Sequence, residues 1–178
     1  RPGLPTKKQK QELLSLLGRH VVITPHPGEM ARLLGCSVPE IQSRRLEAAE
    51  EFSRSRGCVT VLKGARTVIA TSDGSVFVNP AASAVLGTGG SGDSVAGVIG
   101  ALLAQGIAPV EAACCGVFVH GAAGELLEHA DQRLFGVTAT TISENIPRVM
   151  NLLLSRAAEL TRTRGSRTVL PVSRALFS

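Results

Sequence analysis

Hydrophobic residues change their spacing along the chain in a way that predicts an α/β domain. Continuous apolar runs at residues 21–23 and 59–62 are typical of strands that are buried on both faces of a parallel sheet. Residues 67–70 and 75–78 flank Ser72-Asp73-Gly74 and predict a hairpin. Elsewhere apolar residues recur at helical spacing. The predicted helices cover residues 8–17, 29–34, 39–56, 94–105, 109–127 and 142–157.

Capping residues support several of these helix boundaries. Gly18, Gly35 and Gly57 directly follow predicted helices, where a residue that tolerates positive φ is favoured. Ser37 is placed to cap the next helix, and Pro39 lies in its first turn, where a missing N–H costs nothing. We therefore expect one long helix over residues 39–56.

Strands that alternate with helices indicate an α/β fold with a mostly parallel sheet. Only four strands accompany the six predicted helices, and two of the four form the hairpin. Such a thin sheet suggests that strands which would precede residue 8 are missing from this chain. We expect a single domain over residues 1–157, followed by a flexible basic tail over residues 158–178.

The composition favours a globular domain and argues against a membrane-spanning or exported protein. The chain has 178 residues, of which 44% are hydrophobic and 19% charged, which is enough apolar material for one core. Gly97 and Gly100 interrupt the apolar run at 95–104, so we expect no membrane span, and the first residues lack the features of a signal peptide. The four cysteines lack CxxC spacing. We interpret them as reduced and buried, which suits the cytoplasm.

Most of the net charge of +5 lies at the C-terminus, since the chain from Ser155 onward carries five arginines and one glutamate. A basic segment of this composition is typical of a solvated or disordered end. The chain has no Trp, no Tyr and five Phe, so it offers few platforms on which bases could stack. We therefore expect no nucleic-acid partner.

A glycine-rich segment, Gly87-Thr88-Gly89-Gly90-Ser91-Gly92-Asp93, precedes the apolar helix at 94–105. Dense glycines let the backbone approach a ligand, and a helix N-terminus adds partial positive charge, so the segment predicts an anion site suited to phosphate. It is not a Walker A loop, because no Lys-Ser or Lys-Thr pair follows, and it lacks dinucleotide GxGxxG spacing.

Asp93 has two interpretations at the start of this helix. It can be an N-terminal cap, a common position for Asp that contributes about 1 kcal/mol. It can also be a carboxylate beside phosphate that accepts a proton from a hydroxyl nucleophile during phosphoryl transfer. The spacing alone does not choose between the two.

Two further segments follow strands and share the expected carboxyl edge of the sheet, where ligands bind in open α/β folds. Thr24-Pro25-His26-Pro27-Gly28-Glu29 places His26 between two prolines, either as a structural turn residue or as a pre-ordered ligand contact. Glu29 either favours the helix dipole or holds water on a magnesium ion. Lys63 and Arg66 follow the strand at 59–62 and are either solvated charges or anion contacts.

Taken together, three segments closely resemble the NAD(P)H-hydrate dehydratase family, which uses ADP or ATP. They are TPHPGEMARLLG at residues 24–35, LKGARTVI at 62–69 and GTGGSGDSVAGVIGALLAQG at 87–106. Three motifs in the right order are far more specific than any one of them. The similarity continues through GVFVHGAAG at 116–124 and covers most of the chain except the tail.

The resemblance implies a ribokinase-like three-layer sandwich and an enzyme that dehydrates the hydrated nucleotides NADHX and NADPHX, with ADP or ATP as phosphoryl donor and Mg²⁺ bridging the phosphates. It implies that Asp93 is the base and a substrate contact, and that His26 contacts the nicotinamide nucleotide. The implied nucleotide-binding residues are Lys63, Gly64, Ala65, Arg66, Thr67, Gly89, Gly90, Ser91 and Gly92. Glu29 is the candidate metal residue, through water, and a cytoplasmic homo-oligomer is expected.

Alternatives to this function stay open. Residues 79–84 lack the glycine often found in the family's corresponding Asn-containing loop. A vitamin-precursor or sugar kinase of the same superfamily is one alternative, although the PHPGE segment argues against it. A nucleotide-binding protein without turnover is a second, and a nucleic-acid-associated protein acting through the arginine-rich tail is a third.

Overall fold

Four strands pair in chain order to form one mixed sheet. They are β1 (Val22–Ile23), β2 (Val59–Leu62), β3 (Val68–Ala70) and β4 (Val76–Val78). The β1–β2 pair is parallel, whereas β2–β3 and β3–β4 are antiparallel. The computed structural model describes residues 6–81, 83–131 and 136–163. The predicted strands and the hairpin are confirmed, although β1 is half-buried whereas β2 is fully buried. Within the described residues the parallel part of the sheet is the β1–β2 pair.

The two faces of the sheet bury different side chains, as the twofold alternation of a strand requires. Leu62 packs with Phe52 and Met30 in a core on one face. Val59 and Val61 pack in a second core on the other face. Because helices cover both cores, the described residues form helix, sheet and helix layers. The predicted α/β three-layer architecture is therefore confirmed.

The first helical layer contains α1 (Lys7–Ser15), α2 (Pro27–Leu34), α3 (Val38–Ser43) and α4 (Arg45–Arg56). Left-handed glycines end α2 and α4, as predicted, with Gly35 at φ 74° and Gly57 at φ 67°.

The single helix expected over residues 39–56 is wrong, because the chain breaks at Arg44 between α3 and α4. Arg44 adopts φ −137° and ψ 49°, outside the helical region. Its guanidinium donates to Glu40 on α3 at 3.3 Å and to Glu51 on α4 at 2.9 Å. No glycine or proline marks the break, so the sequence pattern provided no signal for it.

The second helical layer contains α5 (Ser91–Ala104), α6 (Pro109–Asp131) and α7 (Ala139–Thr163), and a short 3₁₀ turn, Ala84–Gly87, precedes it. Glycines on α6 allow the neighbouring elements to approach closely. A Cβ atom added to Gly116 would lie 2.6 Å from Ile99 on α5, and one added to Gly124 would lie 2.6 Å from Leu86 in the 3₁₀ turn. The close packing expected from the small residues of α6 is confirmed.

The last helix, α7, extends into the segment predicted to be a tail. The structure extends α7 to Thr163, so residues 158–163 of the predicted tail are helical. The remainder of the predicted tail, residues 164–178, lies outside the described residues.

The expectation that all four cysteines are buried needs correction. Cys115 is exposed and Cys36 and Cys114 are half-buried, so only Cys58 is fully buried; all four cysteines are free. The segment Pro109–His129 within α6 is long and apolar enough to cross a membrane, although 61% of its most apolar window is buried inside the protein, as in a core helix.

Candidate active site

The glycine-rich segment forms the N-terminus of α5 three residues earlier than predicted. Gly90 is the N-cap residue at φ 86°, a left-handed conformation that favours glycine. Asp93 therefore lies in the first turn of the helix, and no side chain caps it. The cap interpretation of Asp93 is wrong. Its exposed carboxylate makes no hydrogen bond or ion pair with any residue that the structure describes, and it remains available to a ligand.

His26 is the N-cap of α2 and forms a reciprocal capping box with Glu29. The His26 Nδ1 atom accepts hydrogen bonds from the backbone N–H of Gly28 at 3.0 Å and of Glu29 at 3.2 Å. The Glu29 carboxylate accepts from the His26 N–H at 2.7 Å. Because Nδ1 is an acceptor, the ring proton of the neutral imidazole lies on Nε2, in a side chain that is 52% exposed. His26 thus has a structural role, and its remaining ring donor, Nε2, lies 3.5 Å from a carboxylate oxygen of Glu29 in a half-exposed position.

Lys63 joins the three predicted site segments. It follows β2, and its Nζ atom lies 4.0 Å from the Glu29 carboxylate on α2. On the other side, a Cβ atom added to Gly92 at the start of α5 would lie only 2.9 Å from the same Nζ. The histidine-containing segment, the β2 loop and the glycine-rich helix start therefore meet around one ammonium group.

Arg45 on α4 supports the loop between β2 and β3 from behind. Its guanidinium donates to the carbonyls of Leu62 at 3.1 Å and Lys63 at 3.4 Å, and burial lowers the pKa of this group from its usual value. The Thr67 hydroxyl donates across the loop to the Gly64 carbonyl at 3.0 Å. Gly64 has φ 138°, and a Cβ there would lie 2.9 Å from Arg45. The loop is thus held at both ends by side chains.

A cavity of about 280 Å³ opens beside these groups, close to the lower end of the range for small-molecule sites. Six of the predicted nucleotide-binding residues line it: Lys63, Gly64, Ala65, Thr67, Ser91 and Gly92. The other predicted site residues are absent from its lining: Arg66, Gly89, Gly90, His26, Glu29 and Asp93. Arg66 is exposed, with a left-handed φ of 54°.

Three polar residues of the cavity lining were missed by the sequence analysis. Asn79 follows β4, and its side-chain amide donates to the Val117 carbonyl on α6 at 3.2 Å. Ser83 and His120 each have a buried polar atom, Oγ and Nε2 respectively, without a hydrogen-bond partner among the described residues. His120 is spaced four residues from both Gly116 and Gly124, so helical periodicity alone could have placed it on the packed face of α6.

Burial keeps His120 uncharged. Desolvation lowers its pKa below the usual value, and a backbone hydrogen bond with Ser91 opposes the shift with a smaller effect. The wall of the cavity that α6 contributes is therefore neutral and partly polar, whereas the α5 end combines a helix N-terminus with the Lys63 ammonium. A ligand with an anionic end and an uncharged polar end fits this distribution.

The carboxylates near the site provide few metal ligands. Over the described ranges, no group of three or more His, Cys, Asp or Glu side chains could hold a metal ion. Magnesium commonly binds through one or two carboxylates, phosphate oxygens and water. The residues present therefore fit Mg²⁺ only together with a phosphorylated ligand.

Comparison with known proteins relates the chain to a single enzyme family. Residues 2–148 match the family model described as NAD(P)H-hydrate dehydratase. The chain is 51% identical over 120 residues to a bifunctional NAD(P)H-hydrate repair enzyme of Moorella thermoacetica, covering 66% of this chain and 22% of the relative. It is 40% identical over 131 residues to the ADP-dependent (S)-NAD(P)H-hydrate dehydratase of Bacillus subtilis, covering 72% of this chain and 46% of that one.

Solved structures show the same similarity. A crystal structure of the ADP/ATP-dependent dehydratase from Bacillus subtilis, co-crystallised with ATP and Mg²⁺, superposes with a TM-score of 0.70 at 38% identity, covering 74% of this chain and 47% of that one. A ribokinase-like superfamily protein from Enterococcus faecalis superposes with a TM-score of 0.64 at 31% identity, covering 75% of this chain and 45% of that one. The chain thus spans less than half of the length of each of these relatives.

Proposed function

The chain belongs to the NAD(P)H-hydrate dehydratase family, and from this premise we propose that it dehydrates NADHX and NADPHX at the expense of ADP or ATP. The observation that carries the proposal is the position of Lys63, whose ammonium group lies between Glu29 and Gly92. This contact connects the segment proposed to bind the nicotinamide nucleotide with the segment proposed to bind phosphate.

The adenine nucleotide would bind with its phosphates at the N-terminus of α5. Backbone N–H groups of Gly89, Gly90 and Gly92, the helix dipole and Lys63 would stabilise the negative charge of the transferred phosphoryl group, whereas the Ser91 N–H already donates to the Thr88 carbonyl. Residues of the loop from Lys63 to Thr67, including Ala65 and Arg66, would contact the rest of the nucleotide. Mg²⁺ would be held mainly by the nucleotide, with Glu29 contributing through water, and would neutralise part of the phosphate charge.

Asp93 would act as the general base. Its carboxylate would accept the proton of the substrate hydroxyl as that oxygen bonds to the terminal phosphorus, and AMP leaves from ADP, or ADP from ATP. The carbon–oxygen bond then breaks with loss of phosphate, and the lone pair of the ring nitrogen assists its departure. Loss of a proton from the adjacent ring carbon then forms the double bond of the dihydronicotinamide. His26 would orient the nicotinamide nucleotide through Nε2. The exposure of Asp93 and its lack of a partner among the described side chains support this role.

The test is to incubate the protein with NADHX, ADP and Mg²⁺ and to follow the recovery of reduced-nicotinamide absorbance. We expect turnover by the wild-type chain and loss of turnover, by at least about a hundredfold, in Asp93→Asn. Glu111→Gln is the matched control, because Glu111 is also an exposed acidic residue in the first turn of a helix, α6. A stable phosphorylated alcohol as product would instead indicate a kinase, and ADP binding without any turnover would contradict the proposed reaction.

We also propose that residues 1–157 act as one domain in a cytoplasmic homo-oligomer. The four free cysteines are consistent with a reducing compartment. Phe77 and Val78 on β4 expose 43% and 47% of their surfaces, which supports an interface at that edge of the sheet. Light scattering of the wild-type protein and of Phe77→Ser tests this: a smaller mass for the variant supports the interface, and a monomeric wild type contradicts it.

A further inference from the structure

His120 lines the cavity, and its Nε2 atom is buried without a hydrogen-bond partner among the described residues, while a backbone hydrogen bond with Ser91 also acts on the ring. The residue is 6% exposed. An unpaired polar atom of this kind is costly in a folded protein and is rare in native structures. The Ser83 Oγ atom is also buried without a partner in the described part of the chain and lies against the same helix, near Gly124. These atoms have hydrogen-bonding capacity that a ligand or water in the cavity would satisfy.

The surroundings of His120 define the chemistry of that ligand. Leu86, Val95 and Val117 provide apolar walls in the same cavity, and Asn79 already donates to α6. Because burial disfavours the imidazolium, His120 offers one neutral donor or acceptor and no charge. A phosphate group requires cationic or multiple N–H partners, which the α5 end of the cavity provides instead. Apolar walls with a few neutral polar contacts are typical of small-molecule sites in general. The part of an adenine nucleotide that fits such walls is its uncharged heteroaromatic base.

We propose that His120 Nε2 hydrogen-bonds to the purine base of the bound adenine nucleotide and is a specificity-determining residue of the nucleotide site. This inference rests on the proposed function, since it requires that the phosphates bind at the start of α5. Ser83 contributes a second polar contact on the same wall. Base recognition is then separate from phosphate recognition, with α6 responsible for the first and α5 for the second.

The experiment compares two ligands, ADP and inorganic pyrophosphate, which shares the phosphates but has no base. Binding is measured by calorimetry on the whole chain, with Mg²⁺ present, for wild type, His120→Leu, His120→Gln and His120→Asn. Glutamine places its amide nitrogen about where Nε2 lies, whereas asparagine reaches only to the position of Nδ1. His129→Leu, a substitution at an exposed histidine on the same helix, is the matched control.

We expect His120→Leu and His120→Asn to weaken ADP binding about tenfold, the usual effect of losing one buried hydrogen bond, and to leave pyrophosphate binding unchanged. His120→Gln should recover most of the ADP affinity, which a purely structural role for the imidazole would not predict. Circular dichroism establishes that each variant is folded, and the glutamine variant keeps the test informative if the leucine variant unfolds.

If His120→Leu weakens ADP binding and pyrophosphate binding equally, or if the folded leucine variant binds ADP as wild type does, the assignment of His120 is wrong. The proposed function would remain in place. If the wild-type chain binds pyrophosphate and ADP with the same affinity, the base makes no contribution and the assignment is also wrong. If the wild-type chain binds neither ligand, the proposed function itself fails.

Discussion

The ammonium group of Lys63 lies against the backbone of Gly92, at a distance that leaves no room for a side chain. A Cβ atom at position 92 would be 2.9 Å from Nζ and 3.3 Å from Cδ of Lys63, both shorter than ordinary van der Waals contact. The same ammonium lies 4.0 Å from Glu29. The glycine at this point is therefore needed for the position of the lysine, in addition to the freedom it gives the backbone.

Gly92→Ala should displace Lys63 and weaken nucleotide binding. The lysine is partly exposed and flexible, so we expect the fold to tolerate the change while the affinity for ADP falls by about tenfold, as when one charged contact is lost. Gly97→Ala is the control on the same helix, because a Cβ atom at position 97 would have no neighbour within 4 Å among the described residues. Calorimetric titration with ADP compares the affinities of the two variants with that of wild type. Equal affinity of Gly92→Ala and wild type would show that Lys63 does not contact the nucleotide.

Replacing a glycine by alanine should lower the stability of the protein at Gly116 on α6 and raise it at Gly100 on α5. Gly116→Ala places a methyl group 2.6 Å from Ile99, so we expect a loss of about 1–3 kcal/mol in the free energy of unfolding. Gly100→Ala meets no described atom within 4 Å on an exposed part of α5, so the gain in helix propensity should stabilise the protein by about 0.5–1 kcal/mol. Urea unfolding of both variants measures the difference, and stabilisation by Gly116→Ala would contradict the close packing of α5 and α6.

The sequence predicted the strands and helix ends that are determined by residues close together in the chain. The strands at Val59–Leu62 and Val68–Ala70 follow from runs of β-branched residues, and the end of α2 follows from Gly35. The glycine-rich segment also indicated the start of a helix, although three residues too late, because Ser91 and Gly92 are weak helix formers that the preceding loop nevertheless places in the first turn.

The missed features depend on contacts between distant residues. The helix breaks at Arg44, whose guanidinium bonds to Glu40 on α3 and Glu51 on α4, and nothing in the local sequence marks the break. The cavity residue His120 lies 27 positions after Asp93 in the sequence. Only the folded structure shows that His120 lines the cavity and that its Nε2 has no partner in the described chain. The family resemblance included the segment around His120 but assigned that residue no role.

The structural and functional roles of His26 can be separated by substitution. His26→Ala removes the cap of α2 and should cost about 1 kcal/mol of stability, together with activity. His26→Ser restores a capping oxygen for the same N–H groups but has no atom at the position of Nε2. If His26 contacts the nicotinamide nucleotide, the serine variant should be as stable as wild type and still have a raised KM for NADHX. A serine variant with normal KM would leave His26 as a cap alone.

The buried His120 should also make stability depend on pH. Its pKa is lowered in the folded state by desolvation, so below the ordinary histidine value of about 6.5 the unfolded chain takes up a proton more readily than the native protein does. The contribution of His120 to stability is therefore constant above that pH and falls as the pH is lowered from there toward the folded pKa. Unfolding in urea at a series of pH values between about 7 and 5 measures this loss. In His120→Gln, which cannot titrate at this position, the loss should be smaller than in wild type. An unchanged pH profile in His120→Gln would mean that the imidazole is hydrated or already paired in solution, which would remove the physical basis for a neutral donor or acceptor facing the cavity.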